Sequence, residues 1–216
     1  MDFCKWKTPE TLPFIPLEKE LDALIGSSNR KTAAYLQLLK ETALRSGEAW
    51  NLKLSNLDPD QRILTMNNPQ KRGKPRQFKL SKRLIAMLKA LPRKPDSPDK
   101  LFLGNYLGFR TNFSYQRRRA ANKLQNPRIL RIHFHTFRHW KATTEYHKTK
   151  DILYVQKLLG HRNINSTLIY THLIPFREED YHCATAKTVD DAKDLIEKGF
   201  EYVCDIHEVK LFRKRK

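Results

Sequence analysis

One stretch of about thirty residues interrupts an otherwise helical pattern, and this interruption limits the possible fold most. Three short segments in it have the residue pattern of strands, and the turn-forming residues Asp58-Pro59-Asp60, Asn68-Pro69 and Gly73 separate them. The strand segments are 53–57, 62–67 and 76–80. The sequence therefore predicts an α+β protein, mainly α, with one small three-stranded antiparallel sheet.

The remaining apolar residues of the main body recur with helical spacing. Asn29 and Ser81 are placed to cap the helices that follow them, while Pro127 closes a long basic helix and Gly160 ends a later one. A helical pattern begins near residue 17, and the predicted helices are 29–44, 46–52, 81–90, 109–124, 136–148 and 151–159, with one or two further turns over 166–172.

The two ends of the chain differ from this helical body. Residues 1–16 contain three prolines and are predicted to form an extended lead-in, and Pro175 marks a second boundary. Beyond it, a strand, a helix and two strands are predicted at 181–185, 188–198, 200–205 and 209–212. We therefore divide the chain into a main domain over 1–176 and a small basic βαββ appendage over 177–216.

The charge of the chain predicts an anionic partner. Lys and Arg number 42 against 23 Asp and Glu, which gives a formal net charge of +19. Such an excess repels itself in the folded state. Duplex nucleic acid is the favoured partner because counterion release rewards clustered Lys and Arg. An anionic membrane surface is the competitor, but the sequence shows no uniform basic amphipathic helix.

Several other classes of protein are disfavoured. The sequence has no apolar stretch of spanning length and does not open with a signal peptide. Its three cysteines, Cys4, Cys183 and Cys204, lack metal-binding spacing, and an odd number argues against a disulfide framework. We therefore expect a DNA-associated protein of the cytoplasm, with no metal and no membrane partner.

The residues with the clearest chemistry lie between positions 135 and 170. His135 and Arg138 stand three positions apart, so on a helix they share a face and can address one anionic group. His161 follows a glycine, and Tyr170 lies one short helix further on. Arginine suits a reacting phosphate because its guanidinium stays ionised and binds phosphate in a bidentate manner. This order predicts phosphate chemistry with Tyr170 as the nucleophile.

Five segments in order resemble the catalytic domain of the tyrosine recombinases, also called the lambda-integrase family. They are 42–48 (TALRSGE), 71–76 (KRGKPR), 135–138 (HTFR), 159–161 (LGH) and 169–172 (IYTH). Each segment alone is weak, but five with compatible gaps are specific, and the resemblance spans roughly residues 17–174. It implies site-specific DNA recombination or integration through a 3′-phosphotyrosyl intermediate, without a metal or another cofactor.

The resemblance also assigns roles to the matching positions. Arg45 and Arg138 would clamp the phosphate, and Glu48 would support Arg45. Lys71 would protonate the departing 5′-oxygen, with Lys74 on the same turn as the alternative.

The histidines and the tyrosine receive the remaining roles. His135 would accept or buffer the proton of Tyr170, and His161 would hydrogen-bond a non-bridging phosphate oxygen. Tyr170 would be the nucleophile, acting within its own protomer or donated to a neighbour, and the short link to His161 favours its own protomer. His139 and Trp140 are expected to pack rather than to react.

Basic residues beside these motifs are expected to contact DNA. They are Arg72, Lys74, Arg76, Arg117, Arg118 and Arg119. The run 117–119 lies on a long helix whose counterpart in the family follows the DNA, although a solvated helix face is the alternative.

Two rival functions and two departures accompany the resemblance. A type IB topoisomerase uses a similar clamp but commonly carries lysine at the His135 position, and a non-catalytic DNA-binding regulator would not need the intact set. The family usually carries a helical DNA-clamping domain ahead of this unit, for which these 216 residues hold no segment. The C-terminal appendage resembles tails of integrases from archaeal mobile elements. The family further implies a homotetramer on DNA.

Overall fold

The computed structural model describes residues 12–71, 73–93, 95, 99–173, 181–206 and 209–215. The chain forms two compact units, Met1–Leu173 and Ile174–Lys216. Within the described residues, no helix is both long and apolar enough to cross a membrane.

The first unit is mainly helical. Its helices are α1 (Glu18–Ser27), α2 (Arg30–Thr42), α3 (Ser46–Trp50), α4 (Lys82–Lys89), α5 (Tyr106–Lys123), α6 (Phe134–Thr149), α7 (Ile152–Leu159) and α8 (Asn165–Leu168). Short 3-10 helices cover Leu54–Asn56, Pro127–Arg131 and Ile169–His172.

Local capping residues begin or end three of these helices at the predicted positions. Asn29 Oδ1 accepts a hydrogen bond from the Thr32 amide at 2.9 Å, and Ser81 Oγ accepts one from the Leu84 amide at 3.0 Å. Gly160 ends α7 in the left-handed conformation, with φ of 66°. These three predictions are confirmed.

The small sheet has three antiparallel strands in the order β1 (Leu57–Asp58), β2 (Ile63–Met66) and β3 (Arg76–Lys79). The prediction of a first strand over 53–57 is wrong, because the segment turns as a 3-10 helix. The Asn56 side chain accepts a hydrogen bond from the Lys53 amide at 2.9 Å, and the Leu54 amide donates to the Asp99 carbonyl at 2.7 Å. The Asn56 side chain thus caps a 3-10 turn, and the backbone at Lys53 forms a single bridge with Lys100 instead of a strand of the sheet.

An aromatic cluster at the centre of the unit supports the loop that begins α3. Tyr35 on α2 is fully buried and makes edge contacts with Trp50, Phe102, Phe109 and Phe134. Its hydroxyl donates to the Ser46 carbonyl at 2.6 Å. The hydrophobic core therefore fixes the backbone beside Arg45.

The second unit forms the predicted βαββ arrangement. It contains β4 (Tyr181–Ala186), α9 (Val189–Glu197), β5 (Glu201–Ile206) and β6 (Val209–Arg215). The sheet order is β4-β6-β5, with both pairs antiparallel. Phe212 and Ala186 are its buried apolar side chains among the described residues.

Candidate active site

Arg138 joins the C-terminal ends of two helices. Its side chain is buried, and its guanidinium donates to the Ala43 carbonyl at 2.6 Å and to the Leu159 carbonyl at 2.7 Å. Carbonyls at helix C-termini carry partial negative charge, which a guanidinium stabilises. Because α2 leads into Arg45 and α7 leads into His161, this one side chain brings both predicted site residues to the same place.

Glu48 is the second point of convergence. Its carboxylate has no exposed side-chain area and accepts four hydrogen bonds. Oε1 binds Arg45 Nη1 and the Gln70 amide, each at 3.1 Å, while Oε2 binds the Arg45 amide at 2.9 Å and Arg76 Nη2 at 2.5 Å. Glu48 therefore contacts Arg45 from behind, as predicted, and it also anchors the turn between β2 and β3.

Gly73 and Gly160 allow that turn to approach the end of α7 closely. A methyl group at Gly73 would lie 3.3 Å from both Arg45 Nη1 and the Gly160 carbonyl, and a methyl group at Gly160 would overlap the Arg76 guanidinium. The Lys74 amide donates to the Gly160 carbonyl at 3.2 Å. The two glycines thus leave room for the arginines.

Lys71 and Lys74 are both exposed on this turn. Lys71 adopts a left-handed conformation with φ of 53°, and its positive charge contributes to the lowered pKa of His135. The backbone of Lys74 is held by Gly160 and by Arg76, which donates to the Lys74 carbonyl at 3.3 Å. Of the two lysines, Lys71 is the one whose charge acts on His135.

His161 sits between Arg138 and Thr167. Its Nε2 lies 2.9 Å from Arg138 Nη2, and its Nδ1 lies 3.0 Å from Thr167 Oγ1. A guanidinium can only donate, so Nε2 accepts and the Nδ1–H of the neutral ring donates to the threonine. Burial, followed by Arg138 and Arg45, lowers the pKa of His161 to about 4. In this state, Nε2 is already bound and does not point a proton at a phosphate.

Tyr170 is buried in the 3-10 turn after α8, with an exposed fraction of 2%. Burial raises the pKa of its hydroxyl, whereas the charges of Arg138 and Arg45 act to lower it. The hydroxyl lies 3.0 Å from Nδ1 of His139. Burial, followed by the charges of His135 and Arg138, lowers the pKa of His139 to about 4. This contact goes beyond the packing expected of His139, whereas Trp140 is buried as expected.

His135 lies one turn before His139 on the same face of α6. Its side chain is exposed, and its ring meets the His139 ring edge-on with 4.6 Å between centroids. Partial desolvation, followed by the charges of Arg138, Arg45 and Lys71, lowers its pKa. The spacing of four residues between the two histidines is the sequence signal that could have identified His139.

The predicted DNA-contacting residues divide into exposed and inward-facing groups. Arg118 and Arg119 are exposed on α5, whereas Arg117 donates to the Ile132 carbonyl at 2.9 Å and lies 2.7 Å from His133 Nδ1. Arg76 is also predicted to contact DNA. This residue is 8% exposed and bound to Glu48, so it does not lie on the surface. Arg72 lies outside the described residues.

A groove of about 770 Å³ opens beside the site. Its floor is aromatic, with Trp50, Phe113 and Phe134, and His135 stands at its edge. Exposed polar side chains of α5 line one wall, namely Arg110, Thr111 and Ser114. The helix therefore presents a face to the groove that begins at Tyr106, about three turns before the predicted arginine run.

The described residues contain no group of three His, Cys, Asp or Glu side chains placed to hold a metal ion. The groups that converge are guanidinium, imidazole and phenol. Such a set can bind a singly charged phosphate, stabilise added negative charge and move protons.

Comparison with known proteins places this geometry in a family. Residues 17–175 match the phage integrase family. The tyrosine recombinase XerH of Campylobacter jejuni is 30% identical over 173 residues, which cover 77% of this chain and 49% of that protein. XerA of Saccharolobus solfataricus is 28% identical over 183 residues, which cover 80% of this chain and 60% of that protein. The chain thus spans about half to three fifths of these relatives.

A solved structure agrees with these sequence matches. The catalytic domain of bacteriophage HP1 integrase superposes with a TM-score of 0.56 at 25% identity, covering 74% of this chain and 88% of that one. Since the family match covers most of the chain and contains both arginines, the site histidines and Tyr170, the protein belongs to the phage integrase family, whose members include the tyrosine recombinases.

Proposed function

We propose that this protein is a site-specific DNA recombinase that cleaves and rejoins DNA through a 3′-phosphotyrosyl intermediate. The observation that carries the proposal is that one site holds Arg45, Arg138, His135, His161 and Tyr170. The charges of Arg138 and Arg45 act on His135, on His161 and on Tyr170. A phosphodiester is the substrate that this charge pattern suits, because its negative charge offsets part of the positive charge of the two guanidinium groups.

The cleavage step uses the chain's own side chains. Arg45 and Arg138 bind the non-bridging oxygens, and Tyr170 Oη attacks phosphorus while the bond to the 5′-oxygen breaks. Lys71 gives a proton to that oxygen. The phosphotyrosyl ester retains the energy of the broken bond, so the same site rejoins strands without an external energy source. Site geometry supplies the positioning and charge stabilisation.

Double-stranded DNA is the proposed partner. The net charge of +19, the exposed arginines of α5 and the groove beside His135 support it. XerH and XerA are named tyrosine recombinases, and one XerH structure is described as bound to its difH substrate. Strand exchange between two duplexes would require four protomers, so we propose a tetramer as the active assembly.

Covalent capture tests the proposal and identifies the attachment site in the same experiment. The protein is incubated with a pool of nicked suicide duplexes that carry a randomised core, and denaturation-resistant adducts are purified and sequenced. We expect enrichment of one sequence family and a 3′-phosphate linked to Tyr170. Tyr170→Phe should bind the recovered duplex and form no adduct, and Arg45→Ala or Arg138→Ala should slow cleavage by about 10²–10³.

The rival functions give different outcomes. Adducts with no sequence preference, together with relaxation of supercoiled DNA and no strand exchange, would indicate a type IB topoisomerase. Binding without any adduct would indicate a regulatory DNA-binding protein. An adduct that persists in Tyr170→Phe would mean that the nucleophile is a different residue.

A further inference from the structure

The family resemblance assigns the proton of Tyr170 to His135. In the structure, however, the hydroxyl of Tyr170 is paired with His139. Nδ1 of His139 lies 3.0 Å from Tyr170 Oη, and the ring centroids are 5.8 Å apart. Among the hydrogen bonds of the described residues, Tyr170 Oη is joined to His139 and not to His135. Because Tyr170 is 2% exposed, water has little access to take the proton instead.

We propose that His139, rather than His135, is the catalytic residue that receives the proton of Tyr170 during cleavage. The inference rests on the proposed recombinase function. As the bond from Oη to phosphorus forms, the bond from phosphorus to the 5′-oxygen breaks. The Tyr170 proton passes to His139 Nδ1, and Lys71 supplies the proton that the 5′-oxygen needs. Protein and DNA together keep the same number of protons, because the proton that Lys71 gives up stays on the new 5′-hydroxyl, and rejoining reverses each transfer.

The surroundings of His139 make this transfer depend on bound DNA. The groups that face its ring are His135 and Arg138 on α6 and Tyr170 on the following 3-10 turn. Burial and the charge of Arg138 disfavour the imidazolium form, so the free enzyme keeps His139 neutral and Tyr170 protonated. A phosphate bound by Arg138 and Arg45 brings a negative charge close to His139, which favours the imidazolium. The hydroxyl of Tyr170 therefore loses its proton to His139 when a DNA phosphate is bound in the site.

The same assignment gives His135 another position in the reaction. His135 is exposed and contacts His139 edge-on at 4.6 Å. An exposed imidazole on the same helix face can reach the DNA phosphate, whereas the half-buried His139 reaches the phenol. The two histidines thus act on different groups, His135 on the phosphate and His139 on the nucleophile.

Single-turnover cleavage of the duplex recovered by covalent capture tests the proposal. His139→Asn keeps an oxygen acceptor near the Nδ1 position but cannot take up a proton. We expect it to bind DNA as the parent does and to cleave at least about 10²-fold more slowly at pH 7. His182→Asn, at an exposed position of β4, should match the parent. Cleavage by His139→Asn within about threefold of the parent would overturn the assignment.

A modified substrate separates the two proton transfers. In a duplex with a 5′-bridging sulfur at the scissile phosphate, the leaving group needs no proton. The defect of Lys71→Ala should largely disappear with this substrate, whereas the defect of His139→Asn should remain. Recovery of both variants would place His139 on the leaving-group side and overturn the proposal.

A measurement on the parent protein does not depend on how the variants fold. In protein labelled with ¹⁵N-histidine, the His139 ring should be neutral from pH 5 to 8 and should carry its proton on Nε2, which leaves Nδ1 as the acceptor. Tyr170→Phe should shift the Nδ1 resonance. A ring protonated on Nδ1 would overturn the proposal. Failure of the parent to form any adduct would instead refute the recombinase function, so the two failures are distinguishable.

Discussion

The carboxylate of Glu48 and the guanidinium of Arg76 form an ion pair of 2.5 Å, with exposed side-chain fractions of 0% and 4%. Burial lowers the pKa of Arg76, and Glu48 opposes this effect. A buried pair is tolerated only while both charges remain, because either charge alone would be uncompensated. Since the same carboxylate binds Arg45, the stability of the fold and the position of the phosphate clamp depend on one side chain.

Glu48→Gln should therefore lower the free energy of unfolding by about 3–5 kcal/mol, because Arg76 would remain buried without a counterion. Urea denaturation measures the change. Asp60→Asn, in the exposed turn between β1 and β2, is the matched carboxylate control and should leave the midpoint unchanged. An equal effect of the two substitutions would mean that the Glu48–Arg76 pair contributes nothing in solution.

Gly160→Ala should destabilise the protein and slow cleavage together. The backbone at Gly160 has φ of 66°, and the added methyl group would overlap the Arg76 guanidinium. The expected loss is more than about 1 kcal/mol, the usual cost of strain at such a position. Gly26→Ala on α1 is the control, because nothing lies within 4 Å of its added methyl group; it should stabilise by about 0.5–1 kcal/mol. Thermal unfolding and single-turnover cleavage of both variants measure the effects.

Much of the scaffold could be predicted because its signals are local. Asn29 and Ser81 cap helices through bonds to amides three residues away, and Gly160 ends α7 by its own conformation. Arg45 is identified from the family resemblance, whereas His161 is already marked by its place between Gly160 and Tyr170 in the sequence. Their approach to one another depends on Arg138, whose bonds reach Ala43 and Leu159.

The contacts of His139 and Arg117 depend on tertiary packing, which a four-residue spacing in the sequence indicates only weakly. His139 and Tyr170 are 31 positions apart and meet because the turn after α8 returns to α6. Arg117 belongs to an exposed-looking basic run, yet it continues the inward face that Phe113 begins, and its guanidinium lies 5.8 Å from the Phe113 ring. A spacing of four residues from Phe113 was the available signal, but the charge of the run concealed it.

Folding stability should fall as the pH drops from about 6.5 towards 4. The pKa values of His139 and His161 are lowered to about 4 from an ordinary value of 6.5, and those of His133 and His135 are lowered in the same direction. Within this window the unfolded chain takes up protons that the folded chain refuses, so acid favours unfolding. The two strongly shifted histidines contribute at most about 3 kcal/mol each, at 1.4 kcal/mol for each pKa unit.

Urea denaturation at pH 7, 6 and 5 measures this dependence. His161→Phe should make the free energy of unfolding depend less on pH. His182→Asn, at an exposed position of β4, should leave this pH dependence unchanged. Stability that is constant between pH 7 and pH 5 would mean that both histidines take up protons in the folded protein.

Neighbouring arginines on α5 should have different roles in DNA binding. Arg118 is exposed, whereas Arg117 binds the Ile132 carbonyl and His133. Arg118→Ala should weaken DNA binding and reduce the slope of log affinity against log salt by about 1, because about one phosphate contact is lost. Arg117→Ala should leave that slope unchanged and lower the free energy of unfolding by about 1–3 kcal/mol, because a buried carbonyl loses its donor. Fluorescence anisotropy over a range of salt concentrations and urea denaturation test the pair, and the reverse assignment of the two effects would show that Arg117 faces the DNA.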